Sequence, residues 1–205
     1  MIDRIKDLLD KEADAVKNIP ISNPFDLAIN LIYKQVHQNK GKLVASGVGK
    51  AGQIAINIAT CLSSTGTPAV FLNATEAQHG DLGILQPNDI LLLISNSGKT
   101  NEIVDLVTLT KRLYQDIPLI VITGNTESAL AQKADVCLHT GSPKEICPLG
   151  LTPTTSTTTM TVIGDILVVL LMEKIKFTSE EYALRHHGGY LGVKSRIAAE
   201  KEKNE

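Results

Sequence analysis

The chain has 205 residues, 43% of them hydrophobic and only 3% aromatic, with 20 Lys and Arg against 22 Asp and Glu, for a formal net charge of −2. That is enough chain for one domain with a full core. The near-neutral, aromatic-poor surface gives no reason to invoke DNA, RNA or an anionic membrane. Cys61, Cys137 and Cys147 are odd in number and lack CxxC spacing, which argues against a disulfide framework or zinc site and fits a reducing cytoplasm. Residues 1–6 are charged and amphipathic, unlike the apolar core of a leader peptide. Ile5, Leu8, Leu9, Ala13 and Val16 recur at helical spacing, which predicts a helix over 2–17. Asn23-Pro24 supplies a cap and first-turn proline for a second helix over 24–38. Strands are then expected at 43–46, 69–72, 90–95, 119–123 and 136–139. They alternate with helices at 50–63, 75–81, 101–113 and 128–133. A long helix is expected from Pro153 to about Lys176, and a last one over 179–187. The apolar part of the long helix, 162–175, contains Asp165, Glu173 and Lys174 and is short for a bilayer, so it reads as a buried helix. Five short apolar strands alternating with helices call for an α/β fold: three αβα layers around a five-stranded parallel sheet.

Two strand-to-helix junctions stand out. Leu43-Val44-Ala45-Ser46 runs into Gly47-Val48-Gly49-Lys50, and Leu92-Leu93-Ile94 runs into Ser95-Asn96-Ser97-Gly98-Lys99-Thr100. In an open α/β sheet such junctions lie at the carboxyl ends of the strands, where ligands bind. Small residues let a phosphate approach the backbone, hydroxyls donate to it, and a helix start adds unpaired N–H groups and a positive dipole end. Turn preference alone also selects Ser, Asn and Gly, but three hydroxyls and Asn96 around one helix start, beside Lys99, favour a monophosphate cradle. Glu102 follows in the first helical turn, where it either complements the dipole or serves as a base.

Other motifs fall short. Gly47-Val48-Gly49-Lys50-Ala51-Gly52 matches a dinucleotide fingerprint, yet no carboxylate ends the next strand, and the glycines would in any case permit tight strand-to-helix packing. Gly98-Lys99-Thr100 looks like the end of a Walker A loop, but the earlier glycine falls on Leu93. His79 is followed by Gly80 in a connection, as a surface residue or as a ligand-facing one. His186-His187-Gly188-Gly189 reads as a helix C-terminus, while His139 closes a strand and His37 is expected on an exposed helix face. The run 152–161, with eight Ser or Thr in ten positions, reads as a linker or, better, as the hydroxyl-rich start of the long helix. The charged residues 198–205 read as a frayed tail.

Taken in order, Ser46-Gly47-Val48-Gly49-Lys50-Ala51-Gly52, Ser63-Ser64-Thr65-Gly66-Thr67-Pro68, Glu76-Ala77-Gln78-His79-Gly80-Asp81-Leu82-Gly83, Ile94-Ser95-Asn96-Ser97-Gly98, Cys147-Pro148-Leu149-Gly150-Leu151-Thr152-Pro153-Thr154 and the closing His186-His187-Gly188-Gly189 resemble a sugar isomerase (SIS) domain. Within that family they are most similar to the arabinose 5-phosphate isomerases. The resemblance implies a flavodoxin-like sheet, with residues 1–39 as helices packed on a domain of 40–197. It implies interconversion of D-ribulose 5-phosphate and D-arabinose 5-phosphate on the way to Kdo for lipopolysaccharide or capsule, carried out by a cytoplasmic homotetramer. Carried over by position, Ser46, Gly47, Ser95, Asn96, Ser97 and Thr100 would bind the phosphate end of the substrate, and Thr152 to Thr157 would cap the long helix beside the site, Thr152 and Thr157 among the substrate-binding residues. Lys50, His79, Glu102 and His186 would surround the reacting carbons, His186 reaching a neighbouring subunit's site.

Such chemistry needs a base for a carbon-bound proton, for which Glu102 is the candidate, and a cation or imidazole for enediolate charge. No metal or organic cofactor is implied, although His79 could take up inhibitory zinc. Lys99 stands where the family usually has Glu, and His187 where it usually has Pro. Members of the family also carry a CBS pair after this domain, which the present chain is expected to lack; feedback would then act at the isomerase site, with CMP-Kdo as the ligand. The rival class is a non-catalytic phosphosugar sensor, but residues 1–39 offer no basic recognition helix for DNA.

Overall fold

In the computed structural model, which describes residues 1–202, helix α1 (Ile2–Lys17) and helix α2 (Phe25–Ile32) precede the sheet. Strands β1 (Leu43–Gly47), β2 (Ala69–Phe71), β3 (Ile90–Ile94), β4 (Leu119–Thr123) and β5 (Val136–His139) are all parallel, in the order β2-β1-β3-β4-β5. The crossovers are α3 (Lys50–Ser64), a short α4 (Ala74–Ala77), α5 (Asn101–Leu113) and α6 (Ala129–Gln132), and the chain ends in α7 (Thr155–Ile175), α8 (Ser179–Ala183) and α9 (Gly189–Glu202). This is the flavodoxin-like order, whose switch point falls between β1 and β3.

Side chains alternate across the sheet, so each strand feeds two cores. Leu43, Ala45, Leu92, Ile94, Ile120 and Ile122 pack with α2, α3 and α7, while Val44, Leu91, Leu93, Leu119 and Val121 face α4, α5 and α6. Helix α7 is long and apolar enough, by length and composition, to cross a bilayer. Its inner side is instead built into the first core through Met160, Ile163, Leu167 and Leu171.

Several expectations are corrected. The second helix does not run regularly to 38: after Ile32 it widens into a π-helix over Tyr33–Gln38. There His37 is half-buried rather than exposed, its Nε2 lying 3.2 Å from Thr67 Oγ1, and burial pushes its pKa down, helped by Lys40. Asn23 does not cap α2. Its side chain makes a pair of 2.8 Å hydrogen bonds with the backbone N–H and C=O of His139, occupying the open edge of β5 as an added strand would. The last predicted helix stops at Ala183. Residues 198–202 are not frayed but belong to α9, and the remainder of the expected tail lies outside the described residues.

At the opposite end of the sheet from the strand C-termini, Asp89 is 1% exposed and accepts hydrogen bonds from Lys42 N (2.9 Å), Lys42 Nζ (2.6 Å) and Gln86 N (2.8 Å). It thereby ties the starts of β1 and β3 together. Removing the carboxylate leaves three part-buried donors unpaired and the two strand starts untied. Asp89→Ala is expected to lower the unfolding free energy by about 2–4 kcal/mol, read from urea denaturation midpoints at an unchanged slope.

Candidate active site

The site is set by register. Gly47 pairs with Ile94 in the β1–β3 ladder, so the two following turns leave the sheet at one level. On the β1 side, Gly49 sits at φ +62° and starts α3. A methyl group on Gly52 would come 2.7 Å from Gly47 O, so this pair of glycines brings α3 close to the strand end. On the β3 side, Ser95 Oγ lies 2.9 Å from Thr100 Oγ1, closing the turn upon itself, and Lys99 N donates to Ser97 Oγ at 3.2 Å. No side chain caps α5, which leaves its first amides available to an anion.

The two turns share one cavity of about 430 Å³. Of the residues singled out from sequence, Lys50, Ser95, Asn96, Ser97, Thr100 and Thr157 form its wall. Ala51, Ser156 and Met160 also line it, so the start of α7 stands opposite the two turns. Ser46 is fully buried just below, and its Oγ has no hydrogen-bond partner among the described residues. Gly47 ends β1 without lining the cavity, and Thr152 is exposed, its N–H directed to Cys147 Sγ.

Three of the four residues assigned to the reacting carbons lie elsewhere in the single chain. Glu102 is half-buried in the first turn of α5, beside the cavity but not in its wall. His79 is exposed after α4. His186 follows α8, stacked on Tyr182 with ring centroids 3.8 Å apart and its Nδ1 3.0 Å from Tyr182 O. A carbonyl can only accept, so that nitrogen carries the proton, and Nε2 has no hydrogen bond among the described residues.

One wall residue is not legible from the sequence. Glu145 reaches into the start of α7, where its Oε2 accepts from Thr154 N (2.6 Å), Thr154 Oγ1 (2.8 Å) and Thr155 Oγ1 (3.3 Å). Burial would raise its pKa, but hydrogen bonds from Ser156 and Thr154 outweigh it and hold the carboxyl below its usual range. It stands nine residues before the backbone it caps, outside the three-residue spacing of a capping box. The only sequence signal is a lone acid ahead of a hydroxyl-rich helix start.

With hydroxyls, free amides and a cationic Lys50 that forms no ion pair among the described residues, the cavity is of the class that holds a small phosphorylated molecule at an α/β switch point. The SIS domain model matches residues 36–170, and the chain belongs to that family. It is 50% identical over 155 residues to the arabinose 5-phosphate isomerase KdsD of Shigella flexneri, covering 76% of this chain and 47% of that protein. The chain thus spans about half the length of the curated relatives it matches. Among solved structures, a candidate phosphosugar isomerase involved in capsule formation from Bacteroides fragilis is 64% identical, with a TM-score of 0.91 over 93% of this chain and 99% of that one. An Escherichia coli CFT073 protein in complex with arabinose 5-phosphate is 39% identical, with a TM-score of 0.81 over 90% of this chain and 96% of that one.

Beside the cavity, Cys147 Sγ accepts from the backbone N–H groups of Leu151 and Thr152, each at 3.2 Å. The Thr152 amide, with that of Leu151, brings the thiol down to about 7, while burial raises Cys61 and Cys137. A lowered pKa means thiolate at neutral pH. Iodoacetamide is therefore expected to modify Cys147 first, at a rate rising through a midpoint near pH 7; mass mapping that finds Cys61 or Cys137 alkylated first would contradict this.

Proposed function

We propose that this protein is an aldose–ketose isomerase acting on a sugar phosphate, interconverting D-ribulose 5-phosphate and D-arabinose 5-phosphate. The observation that carries the reading is the single cavity shared by the β1 and β3 turns, with Lys50 in its wall. The similarity to KdsD and to a protein solved with arabinose 5-phosphate supports the choice of sugar.

Charge orients the substrate. The start of α7 already holds the Glu145 carboxylate, whereas the start of α5 has no side-chain cap. At α7 the carboxylate already takes the donors, whereas at α5 the first amides stay open to a phosphate dianion even with Glu102 in that turn. The phosphate is thus assigned to Ser95, Ser97, Thr100 and the α5 amides, and the sugar carbons extend toward Lys50. From the aldose, a base removes the C2 proton, an enediolate forms, and the proton returns to C1 while the hydroxyl proton passes from O2 to O1. Lys50 stabilises the charge on oxygen. Glu102, whose carboxylate forms no ion pair among the described residues, is the proposed base. Glu145 lines the wall but is held as a weak base by its hydrogen bonds, and its proposed part is to orient sugar hydroxyls. His79 and His186 enter the reading only as groups brought to the cavity by another subunit of a homotetramer. The three free thiols are in keeping with a reducing cytoplasm, and the role in Kdo synthesis for lipopolysaccharide or capsule follows from the proposed product.

Incubation with D-ribulose 5-phosphate is expected to yield D-arabinose 5-phosphate. Glu102→Gln should lower kcat by about 10²–10⁴-fold while phosphate binding persists, and Glu145→Gln should mainly raise KM. If Glu145→Gln instead abolishes turnover and Glu102→Gln does not, the two carboxylates exchange roles. Binding without turnover in the unmodified protein would favour the phosphosugar sensor.

Feedback is proposed at this same cavity, with CMP-Kdo as the ligand. Competitive inhibition against ribulose 5-phosphate is the expected result, and millimolar CMP-Kdo that leaves KM unchanged removes the idea.

A further inference from the structure

The end of β4 and the loop that follows it, residues 123–128, take no part in the chemistry assigned to the cavity, yet they are bonded directly to the turn after β3. Asn96 O accepts from Gly124 N at 3.0 Å and from Thr123 Oγ1 at 3.2 Å. Thr123 is fully buried, and its hydroxyl also accepts from Asn125 N at 3.1 Å. Asn125 Nδ2 donates to Ser97 O at 3.2 Å. The two loops are also in close steric contact. A methyl on Gly98, which sits at φ +63°, would meet Ser128 Oγ at 2.0 Å, and one on Gly124 would meet Asn96 Oδ1 at 2.5 Å.

These bonds grip the turn by its carbonyls. A trans peptide directs its C=O and the next N–H to opposite sides, so the Ser97 N–H points away from the atoms that hold Asn96 O. Ser97 and Asn96 line the cavity, and Ser97 N has no hydrogen-bond partner among the described residues. We propose that Thr123, Gly124 and Asn125 are positioning residues for anion recognition: by anchoring the carbonyls of Asn96 and Ser97 at the rear of the turn, they present the Ser97 N–H and the Asn96 side chain to the phosphate. This rests on the sugar-phosphate reading of the cavity. Backbone donors fixed in advance bind an anion without first having to be ordered, so loosening them weakens binding and leaves the proton-transfer groups untouched.

The test compares Thr123→Val, Thr123→Ser, Asn125→Ala and Gly124→Ala with the unmodified protein. Steady-state kinetics on ribulose 5-phosphate, calorimetric binding of inorganic phosphate and melting temperature are measured for each. Thr123→Val and Asn125→Ala are expected to raise both KM and the phosphate Kd by about three- to tenfold with kcat within about twofold. Thr123→Ser, which keeps the hydroxyl, should restore the unmodified values, and Gly124→Ala, which displaces Asn96, should weaken phosphate binding as well. Should Thr123→Val fail to fold, the half-buried Asn125→Ala decides alone. Unchanged KM and Kd in the folded Thr123→Val and Asn125→Ala variants overturn the proposal, as does a Thr123→Ser protein as impaired as Thr123→Val. If the unmodified protein neither turns over nor binds phosphate, the sugar-phosphate reading falls and takes this proposal with it; if it does both while the variants match it, only the positioning role falls.

Discussion

The pairing of Gly47 with Ile94 governs the rest of the molecule. Parallel strands joined by right-handed crossovers put all their carboxyl ends on one side of a sheet, but only at a switch point do two neighbouring strands send their chains to opposite faces and leave a crevice between them. Here β1 leads into α3 on one face and β3 into α5 on the other. A slip of one residue in that ladder would turn Ser95 to the opposite side of the sheet and carry the turn it begins away from the end of β1. The Asp89 clamp on Lys42 and Gln86 secures the same register from the far end.

Three helix starts meet near this crevice, and the chain treats them differently. Helix α3 begins with a glycine and a lysine, α5 begins uncapped, and α7 is capped from a distance by Glu145. Helix starts attract anions indiscriminately. Filling one internally and leaving another open turns a symmetric electrostatic feature into a directional one, which under the proposed function would give a phosphorylated ligand one favourable end. The cost of ordering the open turn falls on residues 123–128, which anchor it through backbone carbonyls and leave the Ser97 N–H free.

How far the amino-acid sequence discloses all this depends on how far apart the partners lie along the chain. The strands are readable because each is a contiguous apolar run; β2 and β3 each end a residue short of expectation, at Phe71 and Ile94, and β1 runs one residue longer, to Gly47. The hydroxyl turn at 95–100 is readable because its members are neighbours. Asn23 reads as a helix cap by local rules, because its true partner, His139, is 116 residues away. Glu145 is concealed for the same reason on a smaller scale. Helix α9 is hidden because Gly188, Gly189 and Gly192 interrupt the run, while Tyr190, Leu191, Val193 and Ile197 are exposed and follow no one-sided helical period.

The placement of His186 follows the same logic of distance. Its ring is fixed by Tyr182 through stacking and a backbone bond, which selects one tautomer and leaves Nε2 as the free nitrogen. A surface histidine with no task has little reason to be held in one orientation, since ordering a side chain carries an entropic cost. Yet within one chain it is absent from the cavity wall that carries Lys50. An oriented imidazole outside its own cavity can act on a sugar only if chain association brings it to one, and the exposed apolar residues on either side of it, Leu184, Tyr190 and Leu191, are of the kind that association buries. Under the proposed function, catalysis and assembly would then be one requirement: a variant that stays monomeric would keep the phosphate site formed by the β1 and β3 turns and lose the histidine that completes it.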